Sequence, residues 1–165
     1  SSSRYTMISR SVAGFTLIEL IVTVSLMAIL ASVIVPMTQL SVQRAKEQEL
    51  KSALKEIRTA IDEYKRAGDN GHIYRNAFTT GYPESLNELV KGVTDIKDPD
   101  GRKIYFLRRI PADPFNEDQS LAPEKTWGIR SYRNELDHFE YDGDVYDVYS
   151  LSSKKGLNGR PYKDW

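Results

Sequence analysis

The chain has 165 residues, 23 basic and 23 acidic, and no cysteine. That length allows one domain and little more, the zero formal charge argues against a nucleic-acid binder, and the missing thiol excludes a disulfide framework and a cysteine-ligated zinc. The two histidines, His72 and His138, are too few for a histidine-rich metal centre, and each reads as a lone surface side chain.

The charges are unevenly placed. Residues 1–14 hold Arg4 and Arg10 and no acid, residues 15–37 hold one charge, Glu19, and nearly all the others lie from Arg44 onward. The order is that of a short basic leader, an apolar rod and a polar domain. As a helix, the apolar run of residues 15–37 is about 34 Å long, enough to cross a hydrocarbon core of about 30 Å. A secretory signal has a shorter apolar core followed by a small-residue cleavage site. Here the small pair Ala13-Gly14 precedes the run, so cleavage there removes the leader and leaves the membrane helix in the product. Arg4 and Arg10 favour a cytoplasmic N-terminus and an exported polar domain. Met7 is a candidate start, which would place residues 1–6 upstream.

Glu19 stands out. An acid at the centre of a membrane helix costs on the order of 2.5–3.5 kcal/mol on insertion scales. Near the membrane edge it can snorkel to headgroup water, which is one reading. The other is that it pairs with a cation inside an assembly. The nearest candidate is the amine made by cutting before Phe15, one helical turn away, in the same chain or in a neighbouring subunit.

Gly14-Phe15-Thr16-Leu17-Ile18-Glu19, behind a basic leader and ahead of an unbroken apolar helix, resembles the class III signal of type IV pilins and type II secretion pseudopilins. The resemblance implies that a prepilin peptidase cleaves after Gly14 and methylates Phe15, and that Glu19 contacts a neighbouring subunit's N-terminus. It also puts Pro36 where the family often kinks the helix, although Pro36 alone reads equally as a break at the membrane surface.

Beyond the membrane run, Leu50, Ala53, Leu54, Ile57, Ala60, Ile61 and Tyr64 recur in steps of three and four, one stripe of an amphipathic helix. Glu47 with Lys51, Arg58 with Asp62 and Asp62 with Arg66 sit at i,i+4 spacing. Gly68-Asp69-Asn70-Gly71 supplies the stop. The stripe lasts only about two heptads, too short for a persuasive coiled coil, and packing on the chain's own C-terminal part is the expectation. Residues 83–90 read as a short helix closed by Gly92, residues 103–108 as a strand, and residues 127–133 and 139–141 as aromatic-rich β segments. Asp142-Gly143 reads as a hairpin turn, and residues 145–151 as the returning strand. Asp98-Pro99-Asp100-Gly101 reads as a turn rather than a calcium loop, and residues 154–165 as a loop fastened by Trp165.

Tyr82-Pro83 with Leu86 and Leu89, Pro111-Ala112-Asp113-Pro114-Phe115, Asp147-Val148-Tyr149-Ser150-Leu151 and Asp164-Trp165 resemble landmarks of the major (G-type) pseudopilin. The expected fold is therefore α+β and type IV pilin-like, a long N-terminal helix packed on a small antiparallel sheet, with a membrane-spanning lower half and an amphipathic upper half. The expected divisions are residues 1–14 as leader, 15–40 as the transmembrane half, and 41–165 as the exported head with the upper half of the helix. The resemblance implies a non-enzymatic subunit, embedded in the bacterial inner membrane with a periplasmic head, that polymerises with copies of itself into a helical filament. Its implied partners are other pseudopilins, the prepilin peptidase, an assembly ATPase and a platform protein; no nucleic acid is expected. In the major pseudopilins the loop after the Ser-Leu strand end usually carries an acid that helps bind calcium. Here Ser152-Ser153-Lys154-Lys155-Gly156 puts lysine there, so no metal or other cofactor is expected, and Lys154 or Lys155 is expected to pair with Asp164 and pin the loop.

The alternatives are a minor pseudopilin, a type IV pilin, and a signal-anchored exported enzyme or sensor. No nucleophile elbow and no phosphate-cradling glycine motif supports an enzyme.

Overall fold

A computed structural model describes residues 13–132 and 143–165. Arg4, Met7, Arg10, His138, segment 139–141 and Asp142 lie outside the described residues. The chain forms two compact units, Ser1–Val42 and Gln43–Trp165, and the helix α1, Leu17–Asp69, contributes to both.

In the first unit every described residue is exposed, including Leu17, Ile21, Leu26, Ile29, Val33 and Met37. α1 is long and apolar enough here to cross a membrane. Its hydroxyls suit a dry medium. Thr23 donates to the carbonyl of Glu19 at 2.7 Å, Ser25 to Ile21 and Ser32 to Ala28 at 2.8 Å, and Thr38 to Ile34 at 3.0 Å. A hydroxyl facing lipid without a partner is expensive, and this i−4 bonding removes the penalty. The helix runs through Pro36, whose ring nitrogen has no hydrogen for a backbone carbonyl.

The second unit is the α+β head. The stripe read from the sequence is its core: Leu50, Ala53, Leu54, Ile57, Ala60, Ile61 and Tyr64 are all buried. They pack with Ile73, Leu86, Leu89, Leu107, Trp127, Val145, Val148 and Tyr162 in one cluster. A helix with this stripe is held by burial rather than by propensity. α2 spans Leu86–Lys91 and ends at Gly92, whose φ is 76°. Only glycine fits there. The backbone conformation excludes side chains, and a Cβ would lie 2.8 Å from the Tyr105 ring and 3.0 Å from the Ile104 carbonyl.

The sheet is less extensive than expected. β1 (Val93–Thr94) pairs antiparallel with β2 (Lys103–Ile104), so the strand expected over residues 103–108 has only two residues. Residues 95–102 form the connection. The amide of Gly101 donates to the Asp98 carbonyl at 3.0 Å, which is the expected turn. β3 (Trp127–Arg130) pairs antiparallel with β4 (Asp147–Ser150), Trp127 opposite Ser150 and Arg130 opposite Asp147. β4 thus returns against β3, and Val145 lies outside the strand, its amide donating to the Pro83 carbonyl at 2.8 Å. Short 3-10 helices at Pro123–Thr126 and Tyr162–Asp164 precede β3 and close the chain.

Two expected helix pairs are replaced by tertiary ones. Arg58 leaves Asp62 for β4 and the chain end. Its Nε is 2.7 Å from Asp147 Oδ1, and its Nη2 donates to the carbonyls of Val148 at 3.2 Å and Trp165 at 2.9 Å. Glu47 leaves Lys51 and is buried, accepting from the Tyr162 hydroxyl at 2.9 Å and the Leu157 amide at 2.8 Å. A buried carboxylate outweighs an exposed i,i+4 pair because its hydrogen bonds replace lost water. His72 is not the lone side chain the sequence suggested: its Nδ1 lies 3.0 Å from Asp95 Oδ1.

Candidate processing and assembly site

Residues 13–16 are non-helical and exposed, and α1 begins at Leu17. Thr16 makes that boundary. Its Oγ1 accepts the Glu19 amide at 3.2 Å, and its carbonyl accepts the Leu20 amide at 3.1 Å. This is the N-cap half of a Thr-x-x-Glu capping box. The signature is legible in the sequence as Thr16 and Glu19 three residues apart. The cap stops the helix short of the bond between Gly14 and Phe15. That bond stays in open chain, the form a peptidase needs, with Phe15 87% exposed.

Among the described residues nothing requires Gly14 to be glycine. A Cβ there would meet nothing within 4 Å, and its φ is not positive. Glu19 is exposed in the first turn, where the helix dipole favours an acid. Among the described residues its carboxylate has no ion-pair partner. Gly14, Phe15 and Glu19 are therefore brought within one turn of the helix start, while Pro36 lies far along the same helix.

The C-terminal loop departs from expectation. Lys154 Nζ meets Glu117 Oε1 at 2.9 Å, not Asp164, and this contact holds the Glu117 carboxyl below its usual range. Among the described residues neither Lys154 nor Lys155 pairs with Asp164. The loop is fastened from beneath instead. Tyr162 is 1% exposed and stacks on Phe115 at 4.0 Å. Burial pushes its hydroxyl pKa up. The Trp165 ring covers Gly156, where a Cβ would collide with the indole.

The family model described as the prokaryotic N-terminal methylation motif matches residues 9–35. The type II secretion system core protein G of Pseudomonas aeruginosa is 36% identical over 119 residues, covering 69% of this chain and 76% of that protein. This chain belongs to the type II secretion system core protein G family. The core protein G of Klebsiella michiganensis is 31% identical over 150 residues, 88% of this chain and 98% of that protein. The core protein G of Aeromonas hydrophila is 32% identical over 130 residues, 78% and 85% of the two chains. No solved structure matches the chain. The matched motif contains Gly14, Phe15 and Glu19, and the matches to core protein G run on through the head. In this core protein G chain, therefore, the apolar part of α1 is a membrane anchor by length, composition and kinship.

Proposed function

We propose that the chain is the structural subunit that polymerises into the pseudopilus of a type II protein secretion system. The observation that carries this is the junction of Gly14 and Phe15, open and exposed, one turn from a Glu19 carboxylate with no ion-pair partner among the described residues, at the head of the exposed apolar part of α1. A glycine that nothing among the described residues requires is explained by recognition from outside, here by a prepilin peptidase. Cutting before Phe15 frees an amine beside Glu19, to be methylated. The subunit waits in the inner membrane with its N-terminus cytoplasmic and its head periplasmic. An assembly ATPase and a platform protein drive its extraction, other pseudopilins join the filament, and Glu19 meets a neighbour's amine as the helices leave lipid. Pro36 gives α1 a place to bend during packing. The role is structural, not catalytic.

The intact mass of the chain from its membrane tests this. A product beginning at Phe15 with one added methyl group is expected only when the peptidase is present. An uncut chain in both strains would discard the reading.

The proposal includes a head that folds without calcium. A hard cation wants six to eight oxygens. In the C-terminal loop an ammonium sits against Glu117, the Lys154 carbonyl accepts the Tyr162 amide at 3.2 Å, and the Gly156 amide is tied to Arg160 at 2.8 Å. These contacts do not fit a calcium site. The melting temperature is expected to be the same in calcium and in EDTA, and a clear rise with calcium would reverse the assignment.

A further inference from the structure

The head carries opposite charges on the two flanks of its buried helical stripe. With about 100° of rotation per residue, Lys51, Lys55 and Arg58 share one flank and Glu49 and Glu56 the other, about 150° round the axis. On the basic flank the chain's last segment closes a groove, where Arg160 and Trp165 stand beside Lys51 and Lys55 above buried Leu54. Lys51 Nζ lies 5.0 Å from the centroid of the Trp165 ring. Arg58 is already committed to Asp147. Lys51, Lys55 and Arg160 have no carboxylate within 4 Å among the described residues, and the groove's own acid, Asp62, pairs with none of them. On the other flank Glu49 and Glu56 border a second groove with Ser52, Pro111 and Arg109, and neither is ion-paired among the described residues.

We propose that the acidic flank of one copy seats in the basic groove of the next, with Glu49 and Glu56 facing Lys51, Lys55 and Arg160, and Trp165 as the apolar wall. This rests on the filament reading above and deepens it. Charge complementarity names a second copy as the occupant, because one chain presents both halves, each exposed and without an ion pair among the described residues, the Arg160 guanidinium donating only to the Asp164 carbonyl at 3.1 Å. Two different patches on opposite flanks make a heterologous contact, which propagates as an open helix instead of closing into a dimer. Aromatic side chains and arginine are enriched at interface cores, with charged pairs toward the polar rim, which places Trp165 and Arg160 centrally and the lysine–glutamate pairs around them.

The test uses the full chain, expressed with its assembly machinery and scored for sheared filaments. If the parent chain makes none, the filament reading falls and this contact with it. If it does, Lys51→Glu with Lys55→Glu, and separately Glu49→Lys with Glu56→Lys, are each expected to lower filament yield about tenfold or more, since like charges then meet. The four substitutions together are expected to restore it. Parental yield from either double variant overturns the contact and leaves the filament reading standing. A second measurement covers variants that fail to fold. The chain has no cysteine, so Lys51→Cys combined with Glu56→Cys reports cleanly, the two being too far apart on one helix to bridge. Oxidised filaments are expected to give a ladder of oligomers from the double variant only. No ladder overturns the contact, and a dimer from either single cysteine shows a closed, self-pairing face and overturns it too.

Discussion

Glu19→Gln is expected to enter the membrane and be cut after Gly14 like the parent chain, and then to fail in assembly. The substitution keeps the side chain's shape and removes only the charge. It leaves the helix start intact, because Thr16 is bonded to the Glu19 backbone amide and not to its carboxylate. What it removes is the partner for an amine that becomes buried once helices pack away from lipid. Stripping one member from a buried ion pair costs about 3–5 kcal/mol, which is more than a hundredfold in an association constant by the usual relation of about 1.4 kcal/mol per decade. Normal cleavage with filament yield down about a hundredfold is the expected pattern. Parental yield from Glu19→Gln would mean that the acid serves only the helix dipole and headgroup water.

Tyr162→Ala is expected to be the most damaging single change in the head. The side chain is 1% exposed, stacks on Phe115 at 4.0 Å, meets Trp165 at 5.1 Å, and donates to buried Glu47 at 2.9 Å. Large aromatic truncations in cores cost about 3–5 kcal/mol, and removal of the hydroxyl donor adds a partly unsatisfied carboxylate to the loss. Tyr162→Phe separates the two contributions. It keeps the stack and leaves Glu47 with the Leu157 amide and Gln43, so a loss of about 1–3 kcal/mol is expected. Denaturant unfolding of the detergent-solubilised chain, followed by the fluorescence of Trp127 and Trp165, measures both. A Tyr162→Ala midpoint equal to the parent's would show that the C-terminal loop is not part of the cooperative core.

The two results bear on different parts of the chain, and the sequence was unequally informative about them. The anchor was legible because it is a one-dimensional property. A predominantly apolar run of 23 residues with one acid needs no tertiary partner to be understood as a membrane helix, and the motif around Gly14 is local. The buried stripe from Leu50 to Tyr64 was legible for a related reason: period 3.6 reports which face of a helix seeks a core, whatever supplies it. The turn at Asp98-Pro99-Asp100-Gly101 and the stop at Gly92 follow from backbone preferences carried by single residues.

The polar partners were not legible. Glu47 and Lys51 share the spacing of a helix pair, yet Glu47 is taken by Tyr162, 115 residues away. Arg58 crosses to Asp147, 89 residues away, and Lys154 finds Glu117 where Asp164 was expected. Spacing states which side chains can meet along one helix. It says nothing of what the fold lays against that helix, and a buried, hydrogen-bonded contact outweighs an exposed pair worth tenths of a kcal/mol. The pairing of β4 with β3 is likewise a long-range choice that local strand propensity does not contain. By itself, then, the sequence determined the anchor, the methylation motif at its head and the face of α1 that is buried. Tertiary structure alone decided which charges are spent inside the head and which remain exposed on its two flanks, because that depends on what burial leaves unpaired.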